Sequence, residues 1–89
     1  MNTAFLLMAQ YDAKAVIPLD QVVPDYFPYL SVDKFIRKVV MGEIKIPLVR
    51  IEAGSQKATK GVHLNDLAEY IDARRAAAVK EARQMSGSP

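Results

Sequence analysis

The sequence predicts a small α+β protein of the winged helix-turn-helix class, and three observations carry that expectation. Residues Val32 to Met41 pattern as a short helix with one oily side and one basic side. Gly42 is placed to stop that helix in a left-handed turn. Two β-like runs follow, joined by the polar, lysine-bearing loop Ala53–Thr59 (AGSQKAT). A helix, a sharp stop and then a basic hairpin is the order in which such a scaffold presents a reading helix and a wing to DNA.

Composition sets the frame. The 89 residues, 51% of them apolar, suffice for one domain, expected over residues 1–85, with Ser86–Pro89 as a disordered tail. A chain this short buries only roughly 60–65% of its unfolded surface, so self-association would add stability. With no cysteine, neither a disulfide framework nor a thiolate metal site can form. The early oily run AFLLMA is too short to span a bilayer, and no lysine or arginine precedes it as in a signal peptide. A soluble, cytoplasmic protein with no membrane association is expected. The net charge of +2 is unevenly spread. Residues 1–30 sum to −2 (Lys14 against Asp12, Asp20 and Asp25), residues 31–60 to +4, and residues 61–89 to zero. The positive surplus therefore lies in the helix-and-hairpin block, where it would attract a polyanion.

The elements follow in order. Asn2 or Thr3 can cap a first helix over AFLLMAQY, with Phe5, Met8 and Ala9 on one face and Leu6 and Leu7 beside them. Asp12-Ala13-Lys14 breaks it, and Ala15-Val16-Ile17 is extended because Pro18 follows. A second helix starts at Pro18-Leu19-Asp20, with Leu19, Val22, Val23, Tyr26 and Phe27 as its apolar face. Pro24 should kink or shorten it, and Pro28 ends it. Ser31 caps the third helix, whose inner side is Val32, Phe35, Ile36, Val39 and Val40. Ile46–Glu52 reads as a strand that tolerates Pro47 at its start. A second strand covers Lys60–Leu64, with Val49 and Ile51 sharing a face with Val62 and Leu64. Asn65 and Asp66 cap a long last helix reaching about residue 84, on which Leu67, Ile71, Ala78 and Met85 recur about every seven residues.

The basic face of the third helix is the leading candidate site. Arg37 can donate two bonds to a guanine edge, while Lys34 and Lys38 reach phosphates on either side. The hairpin loop comes second: Ser55, Gln56, Lys57 and Lys60 are suitable donors to phosphate oxygens. Arg50 either reaches a phosphate from the wing or pairs with Glu43 or Glu52. Lys60-Gly61 leads into a strand rather than a helix, so a phosphate-binding P-loop is not expected. His63 is the only histidine; without cysteine it builds no usual zinc site, and a structural role at the strand end is expected. Tyr11, Tyr26, Tyr29 and Tyr70 fall at apolar-face spacings and read as core or interface. The Ala-rich end of the last helix, with Val79, Ala82 and Met85 beyond the reach of the core, reads as a contact between copies.

The stretches NTAFLLMAQYDAKAVIPLDQV, SQKA and HLNDLAEYID, in this order, resemble the pyocin activator family over nearly the whole chain. The resemblance implies a bacterial or prophage-derived transcription activator of bacteriocin genes related to phage tails, acting at short repeated elements upstream of them. It maps the family's helix-and-hairpin block onto Ser31 through His63. The expected partners are double-stranded DNA with repeated promoter elements, RNA polymerase, and further copies of the chain as a homodimer or higher homo-oligomer. The expected location is the bacterial nucleoid. Asp20, Asp25 and Asp72 are candidates for the polymerase contact. No cofactor, metal or small-molecule substrate is expected, and no enzymatic activity. The layout is also similar to excisionase-like and MerR-like small winged domains, so an architectural DNA-bending role is the alternative. A phage regulator acting through protein–protein contact is a third reading.

Overall fold

Asn2 starts the first helix. Its side-chain oxygen accepts from the backbone N–H of Ala4 (2.8 Å) and of Phe5 (3.4 Å), two of the donors a helix start leaves free. The computed structural model describes residues 2–54 and 59–86. Its elements are α1 (Thr3–Gln10), β1 (Val16–Pro18), α2 (Leu19–Tyr26), α3 (Val32–Val40), β2 (Val49–Arg50), β3 (Lys60–His63) and α4 (Leu64–Ser86). Four helices and a small antiparallel sheet make the chain α+β. The sheet runs β1-β3-β2, so the short extended piece ahead of α2 becomes an edge strand beside the hairpin.

The inner layer is oily and continuous. Ile17 of β1, Val22 of α2, Phe35 of α3, Val62 of β3 and Leu67 of α4 have no exposed surface. Phe27 stacks tilted on Phe35, with ring centroids 4.9 Å apart, and on Tyr70 at 5.8 Å. Such pairs add to the plain burial of their area. All five apolar residues expected on α2 pack inward, Tyr26 only partly. Pro24 does not break α2: the helix passes through it to Tyr26. The bond it forfeits would have ended on the carbonyl of Asp20, an exposed residue in the first turn, where water can replace it.

The end of α3 is a complete left-handed cap. Gly42 has φ +78°, its N–H donates to the Val39 carbonyl (3.0 Å), and the Glu43 N–H donates to Lys38 (2.9 Å). At the end of α1, Asp12 and Ala13 take φ values of 53° and 59° and make the same kind of stop.

Several expectations fail for identifiable reasons. On α1, Leu7 faces the core, whereas Phe5, Leu6 and Met8 are exposed. Val40 is exposed on α3. The strand expected over Ile46–Glu52 shrinks to Val49–Arg50. Ile44 and Ile46 bury their side chains from an irregular run that fills the core without pairing. The hairpin register is one residue off the expected one. Val49 lies opposite Gly61 and Arg50 opposite Lys60. A one-residue slip exchanges faces, so Val49 does not share a side with Val62, and Ile51 is exposed. Tyr29 is exposed rather than core.

Helix α4 begins at Leu64, at least two residues earlier than a cap at Asn65 or Asp66 would start it. The cap is His63, not Asn65 or Asp66: its Nδ1 accepts from the Asn65 N–H at 3.1 Å. The helix reaches Ser86, so the first residue of the expected tail is helical; residues 87–89 lie outside the described residues. Its core contact ends near Ile71, leaving the second half projecting, and the molecule measures 55 × 29 × 20 Å. The radius of gyration, 15.1 Å, exceeds the about 12 Å of a compact chain of this length.

Candidate nucleic-acid interface

Phe35 is the pin on which α3 turns. It is fully buried, with Val32, Ile36 and Val39 partly buried around it, so the opposite side of the helix faces outward. The Ser31 hydroxyl accepts from the Lys34 N–H (3.2 Å) and fixes where the helix begins. Asp33, Lys34 and Arg37 lie on the outer side and are exposed. Val40 and Met41, 78% and 67% exposed, extend that side past Arg37, so it is not purely polar. Lys38 sits on the flank, half-buried, with its Nζ 3.5 Å from a Glu43 carboxylate oxygen. Sequence spacing treated Lys34 and Lys38 as equivalent. The turn at Gly42 makes them different by bringing Glu43 back beside Lys38.

Arg50 and Lys60 are direct cross-strand partners. Like charges in that position repel. Among the described residues neither makes an ion pair: Glu43 pairs with Lys38, and of the two readings of Arg50 the pairing with Glu43 or Glu52 does not form. Lys34 and Arg37 likewise make no ion pair among the described residues. The root of the hairpin also lies next to α3. Lys60 and Thr59 line one cleft with Val32 and Ile36 of α3 and Asp20 of α2. Of the expected hairpin donors, Ser55, Gln56 and Lys57 lie outside the described residues.

Other candidates resolve into supporting roles. The Tyr11 hydroxyl donates to the Asp25 carboxylate (2.6 Å), and the Tyr26 hydroxyl donates to Gln10 (2.7 Å), so α1 is tied to α2 at two points. Burial first, then the hydrogen bond to Asp25 and its charge, push the Tyr11 hydroxyl well above the ordinary tyrosine range. Burial and the Asp25 charge also raise Tyr26, against the Gln10 bond, which lowers it. Thr3 donates to Asp72 at 2.6 Å. Two of the three acidic residues expected to contact polymerase thus have partners inside the chain. The Tyr11–Asp25 bond was missed because residues fourteen apart carry no periodic signal. Among the described residues no three His, Cys, Asp or Glu side chains gather as a metal site, and no helix is long and apolar enough to cross a membrane.

These features define a small α+β protein in which the root of a hairpin lies beside the helix α3, each bearing cations that make no ion pair among the described residues. The chain belongs to the pyocin activator protein PrtN family, whose model matches residues 3–78. The match takes in every element through the middle of α4. Membership supports a role as a regulator of phage or pyocin genes, and the family is one of activators, which is not an enzyme class. No curated protein and no solved structure matches the chain.

Proposed function

We propose that the chain is a sequence-specific, double-stranded-DNA-binding transcription activator, built as one winged helix-turn-helix domain. In this reading α2 and α3 form the helix-turn-helix and the hairpin around residues 53–60 is the wing. α3 enters the major groove. Arg37 reads a base edge there, Lys34 holds a phosphate, and Lys38 supports it from the flank. Val40 and Met41 are placed to meet thymine methyl groups. Arg50 and Lys60, with Ser55, Gln56 and Lys57 of the loop, hold the flanking backbone or minor groove.

The observation that carries the reading is the Arg50–Lys60 pair. Two cations held across one ladder, beside a helix bearing two more that make no ion pair among the described residues, cost stability unless an anion comes between them. A phosphate backbone supplies that anion at regular spacing. Pyocin activator membership supports a DNA target in promoters and a contact with RNA polymerase.

Selection of bound duplexes from a random pool at two salt concentrations tests this. One enriched motif at both salts is expected, with affinity falling by about 0.9 log units per log unit of salt for each phosphate neutralised. A pool that stays random while binding persists would reject sequence reading.

A further inference from the structure

Residues 61–89 are neutral only in sum. Up to the point where α4 leaves the core, residues 61–72 carry Asp66, Glu69 and Asp72 and total −3, with His63 neutral. Residues 73–89 carry Arg74, Arg75, Lys80 and Arg83 against Glu81 and total +3. No described residue after Ile71 is buried, so this basic half of α4 projects for about 20 Å. An exposed helix of this kind is usually laced by carboxylates three or four residues from its cations. Here Arg74, Lys80 and Arg83 have none at those spacings. Arg75 has Asp72, whose carboxylate accepts instead from the Thr3 hydroxyl at 2.6 Å. None of the four makes an ion pair among the described residues. The helix dipole accounts for Arg83 alone, since its pull fades within the last turn.

Three of these cations share one side. Arg75, Lys80 and Arg83 line a shallow surface with Ala76 and Val79 between them. At about 100° per residue they fall within about 140° of the helix, and Glu81 falls on the opposite side. We propose that this side of α4 is a second phosphate-binding surface, apart from α3 and the hairpin, that grips the backbone of duplex DNA. The occupant follows from the chemistry. Arg75 and Arg83 stand about 12 Å apart along the helix with Lys80 between them, so each can meet its own phosphate on a strand where phosphates recur about every 3.4 Å of axis. The small side chains of Ala76 and Val79 let that strand lie close. They also offer no large apolar anchor of the kind an acidic protein partner would need. The arm stays helical without packing because Ala, Arg, Lys, Glu and Gln, which make up most of it, are strong helix formers. The proposal rests on the DNA-binding reading for its ligand, though not on which residues read bases.

Titration of a mixed-sequence duplex of about 30 base pairs over a salt series tests it. Arg75→Gln, Lys80→Gln and Arg83→Gln combined should lower the slope of log affinity on log salt by about 2–3, at about 0.9 per lost contact, and weaken binding at least about 10-fold at about 0.15 M salt. Glutamine is a good helix former, so the far-UV circular dichroism should not change. Arg75→Lys with Arg83→Lys should keep the slope, since a point charge serves a phosphate. Arg74→Gln removes one charge from another side of α4 and should leave the slope within about 0.3 of wild type. Selection from a random pool should return the same motif with the triple variant as with the wild type. A triple variant whose slope stays within about 1 of wild type overturns the proposal and leaves an acidic protein as the fitting partner. So does a loss from Arg74→Gln as large as that from each of the other three, which would make overall charge responsible. A wild type that binds no duplex ends this proposal and the DNA-binding reading together; a slope that falls for Lys34→Ala and Lys60→Ala but not for the triple variant ends this one alone.

Discussion

Gly61 is buried in the central strand, opposite Pro18 of β1 and Val49 of β2. A Cβ added there would lie 2.6 Å from Val16 Cγ1 and 2.7 Å from the Ile17 carbonyl oxygen. The Val16 side chain can rotate away. The Ile17 oxygen cannot retreat without opening the ladder between β1 and β3. Gly61→Ala should therefore sit at the upper end of the about 1–3 kcal/mol typical of overpacking. At about 4–8 °C per kcal/mol for a domain of this size, the thermal midpoint should drop by about 10–20 °C. Adding Val16→Ala removes only the side-chain clash, so the double variant should recover less than half of the loss. Gly42→Ala is the contrast. Nothing lies within 4 Å of its Cβ position, and the φ of +78° alone should cost about 1–2 kcal/mol. Thermal and urea unfolding followed by circular dichroism would measure all three. A Gly61→Ala midpoint within about 2 °C of wild type would refute the claim that close strand approach requires glycine here.

Arg37→Ala should relax preference at one base pair, worth about 1–3 kcal/mol of discrimination, while Lys60→Ala should weaken all sequences alike and lower the salt slope by about 0.9. Titration of a matched and a mismatched duplex over a salt series separates the two; identical behaviour would remove the division between reader and clamp. Tyr11→Phe should cost about 1–2 kcal/mol in urea unfolding, since it removes the bond to Asp25. Tyr11 and Tyr26 are both raised in the folded state, so they contribute stability that is whole below the ordinary tyrosine value of 10.0 and is lost as pH climbs through the folded values. Urea midpoints should fall above that pH, and Tyr11→Phe should flatten the decline. His63→Ala should destabilise by about 0.5–2 kcal/mol through loss of the α4 cap, and His63→Asn should restore most of it.

Local rules made much of the fold legible. A hydroxyl at Ser31, an apolar residue every third or fourth position and a glycine at 42 are enough to define α3, because helix starts, faces and stops depend on neighbours within one turn. Residues near the ends of elements were harder. His63 was legible as structural, but its action as a cap follows from where β3 hands over to α4, which spacing does not show. On the candidate interface, Lys34 and Arg37 could be read directly, whereas the ion pair that distinguishes Lys38 comes from the turn that follows α3.

By itself the sequence determined the helices, the inner face of α2 and most of that of α3, the basic middle block and the family, all of which are recorded in short-range pattern and residue order. Only the tertiary structure decided the register that sets Arg50 against Lys60, the enlistment of Val16–Pro18 as a third strand, and the turning of Phe5, Leu6 and Met8 away from the core. Each of those outcomes depends on which distant segment a residue meets. A helix that is apolar on all sides does not signal which side will be buried, and a two-residue strand is too short to announce its own register.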